Sequence, residues 1–161
     1  EKEDKFFDKA SFKILVHEIV DSFKDLSKKR IIINENDYKK DYLITKKIEI
    51  IYSFKNIIDN ALKFSSNKIE IFLSSNENEL RIKVEDDGEG FSKQILGFLG
   101  DPYINKRDLD NNKEGLGLGI FIAKVFLERL SAIINFYNLE DRGAAVDISW
   151  QKKDLINLKL I

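Results

Sequence analysis

Residues 11–28 place Leu15, Ile19, Phe23 and Leu26 at helical spacing, with Lys13, His17, Asp21 and Lys28 on the other side, which predicts an amphipathic helix. Ile31 to Asn34 read as a short strand, and Tyr42 to Thr45 lead into a second helix over 46–64 with Thr45 as its expected N-cap. Residues 68–74 and 80–86 alternate apolar with polar side chains around a Ser-Asn-Glu-Asn-Glu tract, the pattern of an antiparallel pair. From Gly88 to Gly119 the chain carries seven of its eight glycines and its only proline, Pro102, so regular structure is expected to give way there to a long functional loop. Helix resumes over 118–130, and strand-like stretches at 132–138 and 144–150 meet across Asp141-Arg142-Gly143. The pattern assigns nothing to the tail, 152–161. Helices on one side of a mostly antiparallel sheet make an α+β two-layer sandwich, and one domain over 1–161 accounts for all of it.

Composition narrows the functional classes. A chain of 161 residues, 43% apolar and 34% charged, suits a folded domain rather than a disordered one. Its 27 Lys and Arg nearly cancel its 28 Asp and Glu, so no overall field draws it to nucleic acid or to an anionic membrane surface. A polyanion must therefore be held locally. Without cysteine there are no disulfides, thiolate nucleophiles or cysteine metal sites, in keeping with a reducing compartment. The chain starts at Glu1, lacks Met and has no signal-peptide pattern, so it is expected to be a piece of a longer protein.

Three constellations carry chemistry. On the second helix Asn56, Asn60 and Lys63, spaced by four and three, share one face, opposite Ile51, Phe54, Ile58 and Ala61. Carboxamide oxygens are hard ligands and lysine neutralises phosphate, so that face suits a Mg²⁺-polyphosphate; taken alone, such a set is usually an ordinary solvated face. The second strand of the pair ends in Asp86-Asp87-Gly88-Glu89-Gly90-Phe91, where a carboxylate can accept from an exocyclic amine such as adenine's, and Gly88 and Gly90 permit close backbone approach. A tight acidic turn is the plain alternative. Gly115-Leu116-Gly117-Leu118-Gly119 opens a helix whose N–H groups can face phosphates, yet it is neither a P-loop nor a dinucleotide fingerprint. Between the glycine clusters, 91–114 reads as a mobile lid containing Tyr103, whose cations Lys106 and Arg107 can reach the terminal phosphates on closing; a Lys-Arg pair in a loop is more often plain surface charge.

In this order, the three elements resemble the ATP-binding family shared by histidine kinases, gyrase, Hsp90-type chaperones and MutL, whose architecture is the Bergerat fold. Asn56-Ile-Ile-Asp-Asn60-Ala-Leu-Lys63-Phe64 resembles the N box, Asp86 to Gly90 the first glycine box, Gly115 to Gly119 the second, and Gly143-Ala144 stands where a final one is expected. The resemblance implies ATP and Mg²⁺ as cofactors. It implies that Asn60 binds the metal with Asn56 in support, Lys63 and Arg107 meet phosphate, Phe64 lies beside adenine and Asp86 accepts its amine. Hydrolysing members commonly carry a glutamate four residues before the metal asparagine; here that position is Asn56, a poor base, which favours phosphoryl transfer. The resemblance thus points to the catalytic domain of a two-component sensor histidine kinase acting on a histidine of a separate dimerisation domain. The run Gly100 to Arg107 and residues 115–138 further resemble redox-responsive sensor kinases of the RegB/PrrB type. It implies a response regulator as further partner, a homodimeric parent with this piece monomeric, and a cytoplasmic domain whose parent includes forms anchored in the inner membrane.

His17-Glu18 resembles the start of a phosphoacceptor box, but no proline follows and the second long helix of a dimerisation hairpin is missing before Asn56. A solvated surface histidine is the expectation. An anti-sigma-like serine kinase or binding module of the same fold is the alternative function.

Overall fold

The alternation over 68–74 and 80–86 becomes two neighbouring strands, and the sheet grows outward from them. In the computed structural model, which describes residues 9–100 and 118–158, the elements in chain order are β1 (Lys9–Ser11), α1 (Phe12–Lys24), β2 (Arg30–Tyr38), β3 (Leu43–Thr45), α2 (Ile48–Phe64), β4 (Lys68–Ser75), β5 (Glu79–Asp86), α3 (Lys93–Gly100), α4 (Leu118–Arg129), β6 (Ile133–Asn138) and β7 (Ala144–Gln151), closed by a 3₁₀ turn over Lys152–Leu158. Five strands form a sheet in the order β2-β4-β5-β7-β6. Only β2 and β4 run parallel; the other pairs are antiparallel, with Ile71 opposite Val84 and Ile82 opposite Ile148.

That register puts Ile69, Ile71, Leu73, Ile82, Val84 and Ile148 on one buried face, where they join α1, α2 and α4 in a single core. The other face keeps Phe72, Arg81, Lys83 and Asp147, with the Lys83 ammonium 4.6 Å from the Phe72 ring centroid. Phe12, Phe54 and Trp150 meet edge to face at 5.9, 6.3 and 6.5 Å, and Trp150 donates its indole N–H to Leu130 O at 3.2 Å. Because Phe54 is fully buried among rings that cannot collapse inward, Phe54→Ala is expected to lower stability by about 3–5 kcal/mol, read from the urea midpoint.

The fold matches the two-layer expectation and adjusts its details. Thr45 is not a helix cap. It ends β3, its Oγ1 is buried with no hydrogen-bond partner among the described residues, and Lys47 occupies the N-cap position of α2. β1 and β3 pair as a small sheet of their own, register Ala10 to Ile44. α1 starts on Ser11, whose Oγ accepts from Ile14 N–H at 3.3 Å, and ends at Lys24, so Leu26 is exposed rather than on an apolar stripe. A fourth helix, α3, occupies the described part of the stretch expected to be irregular, capped where Ser92 Oγ accepts from Ile95 N–H at 3.2 Å. The rest of the expected lid lies outside the described residues.

His17 is only half exposed. Its Nε2 meets Glu35 of β2, whose second oxygen pairs with Lys13 at 2.8 Å, so the imidazole links α1 to the edge strand instead of standing free in solvent. The two bonds hold the Glu35 carboxyl below its ordinary value.

Candidate functional site

α2, the end of β5, the start of α4 and the β6–β7 turn converge at one end of the sheet. The helix is amphipathic: Ile50, Phe54, Ile57, Ile58, Ala61 and Leu62 are buried, which leaves Asn56 and Asn60 half-buried and Lys63 and Phe64 exposed. Asn56 donates Nδ2 to Tyr52 O at 2.8 Å, one turn back. Its Oδ1 lies against Gly119, where a Cβ would overlap it, so the N-terminal turn of α4 reaches α2 only because residue 119 has no side chain. Ser53 Oγ to Ala123 O at 3.4 Å and the Tyr52 and Phe126 rings at 5.6 Å hold the two helices together. The Asn60 side chain makes no hydrogen bond to another described residue, and the Lys63 ammonium stands 5.9 Å from the Phe64 ring centroid.

Asp86 ends β5 half-buried. Gly88 N–H donates to its Oδ1 at 2.8 Å and Ala144 N–H to the same oxygen at 3.3 Å, so both bonds fall on one atom and neither engages Oδ2. Burial pushes this carboxyl above its ordinary value, against the pull of the two N–H groups. Gly88 is pressed on Phe64 O so closely that a Cβ would overlap it, which joins the end of α2 to the acid. Gly143, at φ +110°, is pressed in the same way on Asp86 O.

The expected residues therefore come together in two groups, Asn56 with Gly119 and Phe64 with Gly88 and Asp86, while Asn60 and Lys63 follow from their places on α2. Leu118 is exposed at the first turn of α4 and Gly90 has φ +87°. Tyr103, Lys106, Arg107, Gly115, Leu116 and Gly117 lie outside the described residues. Among the described residues no group of three His, Cys, Asp or Glu could hold a metal. One carboxamide beside phosphate oxygens nevertheless suits Mg²⁺, which takes few protein ligands when it rides on a nucleotide.

Four residues were not singled out from sequence. Asp87, next to Asp86, faces the other way: Ser66, Asn67 and Lys68 N–H all donate to it, at 2.8 to 3.2 Å, and fix the α2–β4 turn. Burial works to raise its pKa and these N–H groups outweigh that, leaving it below the ordinary carboxylate value. Arg142 donates Nε to Gly88 O at 3.1 Å and Nη2 to Ser66 Oγ at 3.0 Å. Asn138 bonds both backbone groups of Phe91. Lys29 donates Nζ to Leu62 O at 2.5 Å and Ser65 O at 2.7 Å, closing the C-terminus of α2 as a cation at a helix end does. Only the carboxylate next to Asp86 gave any local signal; the other three act across long sequence separations.

Residues 45–154 match the family described as histidine kinase-, DNA gyrase B- and HSP90-like ATPases. Over 131 residues, 71% of this chain, the sequence is 32% identical to the sensor histidine kinase RegB of Cereibacter sphaeroides, of which it covers 28%. It is 24% identical over 153 residues, 92% of this chain, to a putative sensor histidine kinase NtrY-like of Rickettsia prowazekii, of which it covers 25%. The chain thus spans about a quarter of the length of these relatives. Among solved structures, the catalytic domain of the histidine kinase ThkA superposes with a TM-score of 0.72 at 17% identity, covering 89% of this chain and 94% of that one.

Proposed function

Since this chain belongs to the family of histidine kinase-, DNA gyrase B- and HSP90-like ATPases, we propose that it is the ATP- and Mg²⁺-binding catalytic domain of a sensor histidine kinase, which transfers the γ-phosphoryl group to a histidine on a separate dimerisation domain. The observation that carries this reading is Asp86, a half-buried acid with Oδ1 held by two backbone N–H groups and Oδ2 left to meet an exocyclic amine. Phe64, exposed beside Gly88, offers its ring to the base. Asn60 would supply a carboxamide oxygen for the metal, with Asn56 in support, and Lys63 charge for phosphate. Bound Mg²⁺ offsets charge on the β and γ phosphates. Lys106, Arg107 and the backbone of Gly115 to Gly119 complete the phosphate site in this proposal, with Tyr103 at its edge.

Transfer rather than hydrolysis is supported by Asn56. Its carboxamide cannot take a proton from water, and it is already engaged with Tyr52 O and crowded by Gly119. The domain then contributes positioning and charge neutralisation, and the imidazole comes from outside. His17 has no part in the chemistry, being tied to Glu35. The parent pairs with a response regulator and acts as a homodimer from the cytoplasmic side. No described helix is long and apolar enough to cross a membrane.

Incubated with radiolabelled ATP, the chain alone is expected to retain no label and to label an added dimerisation domain of its parent. Stable label on His17, or none on the added domain, would overturn the reading.

A further inference from the structure

We propose that Asn138 is a positioning residue for nucleotide selection: by clamping Phe91 through both of its backbone groups, it sets the loop whose Gly88 N–H orients the acid Asp86. This rests on the reading of Asp86 as the partner of the adenine amine.

Asn138 closes β6. Its Oδ1 accepts from Phe91 N–H at 2.7 Å and its Nδ2 donates to Phe91 O at 2.8 Å, so one carboxamide serves residue 91 as a strand neighbour would. A planar group carrying one donor and one acceptor side by side is needed for this, and only Asn or Gln offers it. The approach depends on Gly90, which has φ +87° and where a Cβ would stand 2.8 Å from Asn138 Oδ1 and 3.3 Å from Gly143 O. Phe91 is then buried, its ring edge to face with Phe136 at 6.1 Å.

The segment from Asp87 to Phe91 is therefore fixed at both ends. At one, Gly88 N–H meets Asp86; at the other, Phe91 meets Asn138. Asn138 is also in register with Ala144, the second donor to Asp86 Oδ1. Both N–H groups that hold the acid thus sit on segments joined through this one residue, by its side chain to Phe91 and by its strand pairing to Ala144. Without the clamp the loop keeps its Arg142 bond at Gly88 but loses its far anchor, and Oδ2 is no longer aimed by a rigid frame.

The test compares two ligands by calorimetry with Mg²⁺: ADP, and its analogue with hydrogen in place of the 6-amino group. The expected result is that Asn138→Ala lowers the preference for ADP over the analogue about tenfold while affinity for the analogue stays constant, as loss of one well-aimed hydrogen bond to a charged group would do. Asn138→Asp, which keeps the acceptor for Phe91 N–H and lacks the donor, shifts the preference in the same direction by a smaller factor. Because residue 138 is exposed, this near-isosteric variant keeps the fold and the question answerable. A merely structural role would lower both affinities together or only the melting temperature, and either result overturns the inference. Wild-type preference intact in both variants overturns it alone; absence of any wild-type preference overturns it together with the reading of Asp86.

Discussion

Asp86→Ala is expected to weaken binding of Mg²⁺-ATP analogues by about a hundredfold or more in calorimetry. The side chain gives the base a charged acceptor in a half-buried setting, where a hydrogen bond is worth about 1.5–3 kcal/mol. Its removal also strips Gly88 and Ala144 N–H of their common acceptor, so the empty cleft loses the frame that shaped it. Asp86→Asn separates these effects. It keeps an oxygen for the two N–H groups and turns an amine toward the amine of adenine, so binding is expected to fall nearly as far while the loop stays in place. Unchanged affinity in either variant would refute the assignment of this acid to the purine.

Gly143→Ala should produce the largest loss of stability of any glycine-to-alanine change among the described residues, about 3 kcal/mol or more. At φ +110° a side chain is strained, and a Cβ there would overlap Asp86 O, a backbone atom at the end of β5, one residue past the last β5–β7 pair, that cannot rotate away as a side chain would. Gly97→Ala serves as the opposite case. Nothing lies within 4 Å of a Cβ at that position on α3, so helix propensity alone acts, and a gain of up to about 1 kcal/mol is expected. Denaturant midpoints compare the two directly; a Gly143→Ala variant as stable as the wild type would show that the turn adopts another conformation.

What could be read from sequence was what repeats at short range. The period-two stretches gave β4 and β5 to within a residue or so because one face of each is buried against a core and the other is not. The stripe on α2 was equally plain, and it left Asn56, Asn60 and Lys63 together on the remaining face. β1 and β3 escaped because a three-residue strand has no period, and its partner lies more than thirty positions away. Thr45 carries the usual chemistry of a helix cap, yet the chain uses it to finish a strand two residues too early. Arg142, Asn138 and Lys29 act on carbonyls and amides far along the chain, and a sequence does not show which peptide group will face a given side chain. Glycine was legible only in part: the sequence marks Gly88 and Gly119 as points of approach to a ligand, and it does not show that Phe64 O presses on Gly88, Asn56 Oδ1 on Gly119 and Asp86 O on Gly143.

The acid on β5 is completed by an N–H of β7, 58 positions further on. A ribosome making this protein releases the helix of asparagines and the first glycine loop well before that strand, so a nascent chain halted near residue 138 would carry nearly every group proposed to touch the nucleotide and still be a poor receptor. Under the proposed function, competence arrives only once β7 has emerged and paired with β5.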